Sequence, residues 1–270
     1  MRVSDVRPAP GVEGASPTAW DHGSLPRRPR QRGPLPQFSD PHIAALGVLS
    51  AMAVIPVWAA RRHPGPWTVI WARLLALLVL ASWIGEYVAD LALGTWTVQY
   101  TLPLQLTDAV SAAAVLALWS RRMLLVELVY FWSLTASLQA VLTPDLGQNF
   151  PSVYYFTYFT YHIGAIVGAC FLVFGCRLYP RPGAAWRVFA LTLVFTAIAG
   201  AGDMLTGGNY MYLRVKPEHS SLVSLMGPWP WYIIETVALG LAMLLGLELL
   251  TNWLRRRDVP PREAPDRLPA

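Results

Sequence analysis

Charge is what this 270-residue chain has least of: 14% of residues are Asp, Glu, Lys or Arg, against roughly 25% in soluble domains. With 54% hydrophobic residues and a mean hydropathy of +0.40, that scarcity excludes a disordered chain and argues against an ordinary soluble enzyme. Cysteine is nearly absent. Two residues, Cys170 and Cys176, cannot make a disulfide framework, and no CxxC pair is present to suggest structural zinc. HExxH, GxSxG, P-loop, GxGxxG and HxxxxD patterns are also missing, which removes the common hydrolase, nucleotide and acyltransferase signatures. The pI of 9.4 does not point to nucleic acid, because the arginines punctuate apolar runs instead of forming one basic face.

What the chain does have is long apolar runs. A hydrocarbon core about 30 Å thick needs about 20 apolar residues in a helix. Seven stretches fit: 41–60, 67–91, 99–119, 122–142, 153–176, 185–206 and 229–252. Their continuity excludes the alternating pattern of barrel strands. The expected fold is therefore all-α, a polytopic transmembrane helix bundle of seven spans in one domain over 41–253. Only Ser120, Arg121 and Arg122 separate the third and fourth spans, so six spans with one re-entrant run is the alternative. Residues 1–40, rich in Pro and Arg, and the basic residues 254–270 read as disordered tails.

Arginine sets the orientation. The loops after spans one, three and five and the C-terminal tail carry twelve arginines, while the loops after spans two and four carry none. The positive-inside rule then makes the arginine-rich side cytoplasmic and places the N-terminus outside a cell membrane. Six arginines in the N-terminal tail argue the other way, but charge bias is most decisive in short loops.

The intramembrane polar residues carry the functional reading, since an ionisable group at mid-membrane costs roughly 2.5 to 3.5 kcal/mol on insertion scales. Glu86, Thr107, Asp108, Gln139, His162, Asp203 and Glu235 all fall in the half of the bilayer away from the arginine-rich loops. At 1.5 Å per residue, Asp108, His162 and Glu235 lie roughly 10–15 Å deep. Polar groups from six helices at similar depth describe a cavity open to the extracytoplasmic side. Tyr155, Tyr158 and His162 share one helical face, and Tyr232 stands three residues before Glu235 as a natural partner for its carboxylate. Glu127 and Glu248 sit at the other end, where they would meet interfacial arginines. Taken singly, each polar residue has a plainer reading as a packing or helix-end group; their common depth is what favours a site.

Several segments resemble the YwaF-like family of bacterial integral membrane proteins and the eukaryotic transmembrane protein 164 group that shares its pattern. The carrying pieces are Leu102-Pro103-Leu104-Gln105-Leu106-Thr107-Asp108, Glu127 with Tyr130-Phe131-Trp132, Gln139-Ala140 leading into Thr143-Pro144-Asp145, and Phe150-Pro151 ahead of His162. Asn209-Tyr210-Met211-Tyr212-Leu213 with Lys216-Pro217, and Gly227-Pro228-Trp229-Pro230-Trp231-Tyr232, are the most distinctive. The resemblance runs from about residue 42 to 240. It implies membrane acyl transfer on phospholipids with a Cys–His pair, the His falling at His162. Here the Cys position holds Thr107 and the neighbouring His position holds Gln105. An alcohol needs a strong adjacent base where a thiol is already partly ionised. The catalytic candidates are therefore His162 as base, Thr107 and Asp108, and the substrate-binding candidates are Gln105, Gln139, Asn209, Tyr210 and Glu235. Membrane lipids are the expected partners, with no metal and no cofactor. A permease binding a cation through Asp108, Glu235 and His162, or a non-catalytic membrane protein with a decayed site, are the alternatives.

Overall fold

The computed structural model describes residues 35–217 and 221–258; most of both expected tails lies outside them. Seven apolar helices follow one another: α1 (Asp40–Arg62), α2 (Trp67–Ala92), α3 (Leu106–Ser120), α4 (Met123–Leu142), α5 (Val153–Gly175), α6 (Ala184–Thr206) and α7 (Trp231–Asp258). No strand occurs among the described residues. Six of the helices are long and apolar enough to cross a membrane, and α3 is the shorter seventh.

The third span is where the expected boundary fails. The apolar run begins near 99, but helix begins only at Leu106, leaving 15 residues, or about 22 Å. Pro103 cannot donate to a helical ladder. The helix starts instead where the Asp108 carboxylate folds back to accept the Gln105 backbone N–H at 3.0 Å, which satisfies a donor orphaned at the helix start. Residues 97–105 thus enter the bundle as non-helical chain. Such backbone is tolerated at membrane depth only where protein covers it.

The helices pack in two tiers. α5 is the hub, with 78% of its most apolar stretch buried, and it packs against α1, α2, α3 and α4. Gly164 allows its approach to α2, because a Cβ there would stand 2.5 Å from the Val79 side chain. α6 and α7 form an outer pair, with only 17% and 6% of the equivalent stretches buried. Their outward side chains, such as Met204, Leu205 and Leu249, are left for lipid.

Two helices depart from α geometry. α4 widens into a π turn over Ser133–Ser137 and α5 ends in another over Phe171–Gly175. Single π turns inside α-helices concentrate at functional sites.

Candidate functional site

The helices alternate in direction, so the last turns of α2, α4 and α6 and the first turns of α3, α5 and α7 lie at one end, opposite the arginine-rich end. Asp108 is fixed at the first turn of α3. Its Oδ1 accepts from Trp83 Nε1 at 2.9 Å and from the Tyr87 hydroxyl at 2.7 Å. Trp83 stands nine residues before the end of α2, so this helix start lies about 14 Å inside that end. Sequence reasoning passed over Trp83 and Tyr87; the i, i+4 spacing of two polar-tipped aromatics on one α2 face was the available signal. Thr107, beside Asp108, is half-buried. Its carbonyl accepts from Ser111 Oγ at 2.9 Å, and its hydroxyl takes no hydrogen bond among the described residues.

His162 is 2% exposed, and its Nδ1 is buried with no hydrogen-bond partner. Of the two tyrosines expected beside it, Tyr158 is present, its ring 4.4 Å from the imidazole, centroid to centroid. Tyr155 packs instead on Phe150, Phe156 and Phe159, and the second ring neighbour is Tyr161 at 4.5 Å. The Tyr161 hydroxyl lies close enough to the Glu86 and Asp108 carboxylates to feel their charge. Glu86, Asp108 and the α5 segment around His162 are therefore neighbours. His42, fully buried, provides the contrast. Its Nδ1 accepts from the Phe38 N–H at 2.9 Å and its Nε2 faces the Val141 carbonyl at 2.8 Å, which fixes the proton on Nε2.

The connection after α6 closes this end. Gly207, at φ +73°, ends the helix in the left-handed conformation glycine accepts freely. The chain then folds onto the non-helical 97–105 segment. Tyr210 is fully buried; its hydroxyl donates to the Val98 carbonyl at 2.7 Å and accepts from the Leu102 N–H at 3.0 Å. Gln105 Oε1 accepts from the Met211 N–H at 2.8 Å. Asn209 Oδ1 accepts from the Arg214 and Val215 N–H groups, and its Nδ2 donates to the Val215 carbonyl. Asp203 Oδ1 accepts from the Tyr210 N–H at 2.6 Å, and the Tyr212 hydroxyl donates to Asp145 at 2.8 Å. Met211 and Tyr212 both hold positive φ, at 54° and 56°, a strained choice for bulky residues. Three predicted binding residues, Gln105, Asn209 and Tyr210, thus fasten a plug over the start of α3.

Glu235 does not join His162. It is exposed, and its Oε2 accepts from the Gly227 N–H at 3.0 Å. Nor does Tyr232 serve it: that hydroxyl donates to the Tyr212 carbonyl at 2.6 Å. Gln139 is half-buried near the end of α4, where its carbonyl accepts from Thr143. Asp90 is 2% exposed; instead of reaching water it takes hydrogen bonds from the Thr95 and Tyr154 hydroxyls, at 2.8 and 2.7 Å. Ser133 and Ser137, on the π turn of α4, are buried with no partner for either hydroxyl, and nothing in their sequence context singled them out.

At the arginine-rich end the carboxylates are paired. Glu127, fully buried, accepts from Arg181 N, Nε and Nη2 at 2.9–3.0 Å and from Arg187 Nη2 at 2.8 Å. That carboxylate holds the Arg181 guanidinium above its ordinary pKa. Glu248 caps α6 by accepting from the Gly183 and Ala185 N–H groups. Asp258 binds Arg61 through both oxygens, at 2.6 and 3.0 Å, and Tyr179.

Helices with lipid-facing exteriors around a buried polar layer define a polytopic membrane protein. Residues 37–247 match the family model described as the TMEM164 family, and with most of its length matched the chain belongs to that family. No curated protein and no solved structure matches it. Among the described residues no group of three or more His, Cys, Asp or Glu side chains is placed to hold a metal ion.

Proposed function

We propose that the protein is a membrane enzyme of phospholipid acyl transfer, acting in the half of the bilayer away from its arginine-rich end, with that end cytoplasmic. The observation that carries the reading is the His162 imidazole: buried, flanked by two tyrosines, and left with an unpartnered Nδ1. A buried polar atom without a partner is costly, and His42 demonstrates that this bundle satisfies a histidine where the ring is only structural. A free imidazole nitrogen is what general-base catalysis requires.

In this reading His162 takes the proton of the Thr107 hydroxyl as its oxygen attacks the ester carbonyl of a phospholipid. The proton passes to the departing glycerol oxygen, and the resulting threonyl ester is opened by an acceptor hydroxyl. Asp108, held by Trp83, Tyr87 and the Gln105 N–H, is a positioning residue: it fixes the first turn of α3 and hence Thr107. The start of α3 adds a positive dipole end where negative charge develops on the carbonyl oxygen. The permease alternative loses support from the exposed position of Glu235.

The test compares lipid profiles of a deletion strain rescued with wild type or with His162→Ala. A lipid class altered by deletion, restored by wild type and not by His162→Ala, is the expected result. An unchanged lipidome on deletion, or full rescue by His162→Ala, overturns the proposal.

A further inference from the structure

The π turn of α4 supplies a feature that the acyl-transfer reading has not used. Ser and Thr side chains in this bundle habitually return their hydroxyl to the carbonyl four residues earlier. Ser111, Thr135, Thr192, Thr196 and Thr251 all do so, at 2.6–2.9 Å, the common resort of a buried hydroxyl in an apolar helix. Ser133 and Ser137, 0% and 1% exposed, do not, and neither Oγ finds another partner. Two hydroxyls in one π turn therefore keep their donor capacity unspent inside the bundle.

Their level is set by the register between α4 and α5. The Tyr158 hydroxyl of α5 donates to the Ala140 carbonyl of α4 at 2.8 Å. The two helices run in opposite directions, so one turn deeper α5 presents His162 while α4 presents Ala136 and Ser137, with Ser133 a turn beyond. His162 Nδ1 is itself unpartnered. The π turn packs against both α5 and α3, the helix that begins with Leu106 and Thr107. Three unpartnered polar groups from two helices thus lie within about two helical turns of one another, on elements that pack against the helix of the proposed nucleophile.

We propose that Ser133 and Ser137 form the acyl-carbonyl site, their hydroxyls donating to the carbonyl oxygen of a lipid ester lodged between α4 and α5 at the level of His162. The inference rests on the acyl-transfer reading and deepens it. Two fixed donors with no competing internal bond are suited to an oxygen that gains negative charge as the carbonyl becomes tetrahedral. Both serines lie on the π turn of α4, a distortion that concentrates at functional sites; Thr135 between them still bonds back to the Phe131 carbonyl, so the open donors are those of the serines. The chemistry selects an ester or thioester carbonyl, an acceptor-only group, in preference to a cation.

The test uses the purified full chain in detergent with palmityl trifluoromethyl ketone, whose hydrated carbonyl mimics the tetrahedral adduct, and follows the thermal midpoint. The ketone is expected to raise the midpoint of wild type by about 3 °C or more, and to raise neither His162→Ala nor the double variant Ser133→Ala/Ser137→Ala. Without ketone, the double variant should melt at or above wild type, since it removes two buried hydroxyls that bond to nothing. If the ketone stabilises wild type and the double variant alike while His162→Ala loses the response, this proposal fails and the acyl-transfer reading stands. If wild type itself shows no response, or His162→Ala responds fully, both fail. A double variant that melts well below wild type assigns the serines a structural role and also overturns the inference; single Ser→Ala variants keep that arm readable if the double variant does not fold.

Discussion

The two ends of the bundle treat most of their buried polar groups differently, although Trp71 Nε1 and Arg121 Nη2 at the arginine-rich end are also unpartnered. At the arginine-rich end Glu127, Glu248 and Asp258 are met by guanidinium groups or backbone N–H donors. In the other half His162 Nδ1, both serines of the α4 π turn and Asp203 Oδ2 are buried without partners. One end resembles a fastening and the other an unfilled site. The difference is not a shortage of donors, since Trp83, Tyr87, Tyr154 and Tyr210 in that same half all find acceptors. The proposed ligand would supply partners for the unpartnered atoms of the His162 half.

Replacing His162 with Ala should break the open half hardest. Loss of a general base lowers a rate by roughly 100-fold or more, read in the lipid class that the deletion strain reveals, an effect well beyond the drop in thermal midpoint from the cavity that the buried ring leaves. At the fastened end Glu127→Ala should reverse that pattern. Breaking a buried ion pair costs about 3–5 kcal/mol, and the low end applies because the Arg181 and Arg187 side chains remain 52% and 38% exposed. Denaturation should therefore show a loss of roughly 3 kcal/mol with catalysis retained below the midpoint. His42→Ala sharpens the contrast within one residue type: two lost hydrogen bonds cost about 2 kcal/mol, without the rate effect expected at His162.

Depth along each helix was legible in the chain; direction around it was not. Hydropathy located seven helices, and counting residues placed Glu86, Asp108, His162, Asp203 and Glu235 in one half. Glu235 nevertheless turns outward, because α7 is held by few neighbours and its apolar face gives little periodic signal on a helix lipid surrounds. The start of α3 was misjudged for another reason: residues 99–105 are apolar enough to continue a span, and their irregular path depends on Tyr210, more than 100 positions away. For the same reason Gln105, Asn209 and Tyr210, read as ligand contacts, appear as fasteners of the plug. Ser133 and Ser137 were invisible because a π turn has no signature in composition.

Thr107→Cys probes the open half at its proposed reacting atom. Thr107 stands where the family resemblance implies a cysteine, so the thiol would supply a better nucleophile beside the same proposed base. A gain of about 10-fold is expected if activation of the Thr107 hydroxyl limits the wild-type step, one logarithmic unit being worth about 1.4 kcal/mol in the barrier. With an ordinary thiol pKa of about 8.5, the gain should grow as pH rises toward that value. Thr107→Ala serves as the matched loss. Equal rates for Thr, Cys and Ala would remove Thr107 from the chemistry and leave the comparison of the two ends to rest on His162.

The smallest expected effect concerns the side of the membrane that the arginines occupy. Cys176 follows the last turn of α5 at the arginine-rich end and is partly buried. Burial pushes its thiol above the ordinary range, with Arg121 pulling the other way. The thiolate is the reactive form, so alkylation by a small maleimide should be slow at neutral pH and quicken steadily as pH rises. Labelling of intact cells sharpens the assignment: if the arginine-rich end is cytoplasmic, a membrane-impermeant maleimide leaves Cys176 untouched until the membrane is opened. Labelling from outside would reverse the orientation and place the His162 half against the cytoplasm, moving the proposed chemistry to the other leaflet without altering the site itself.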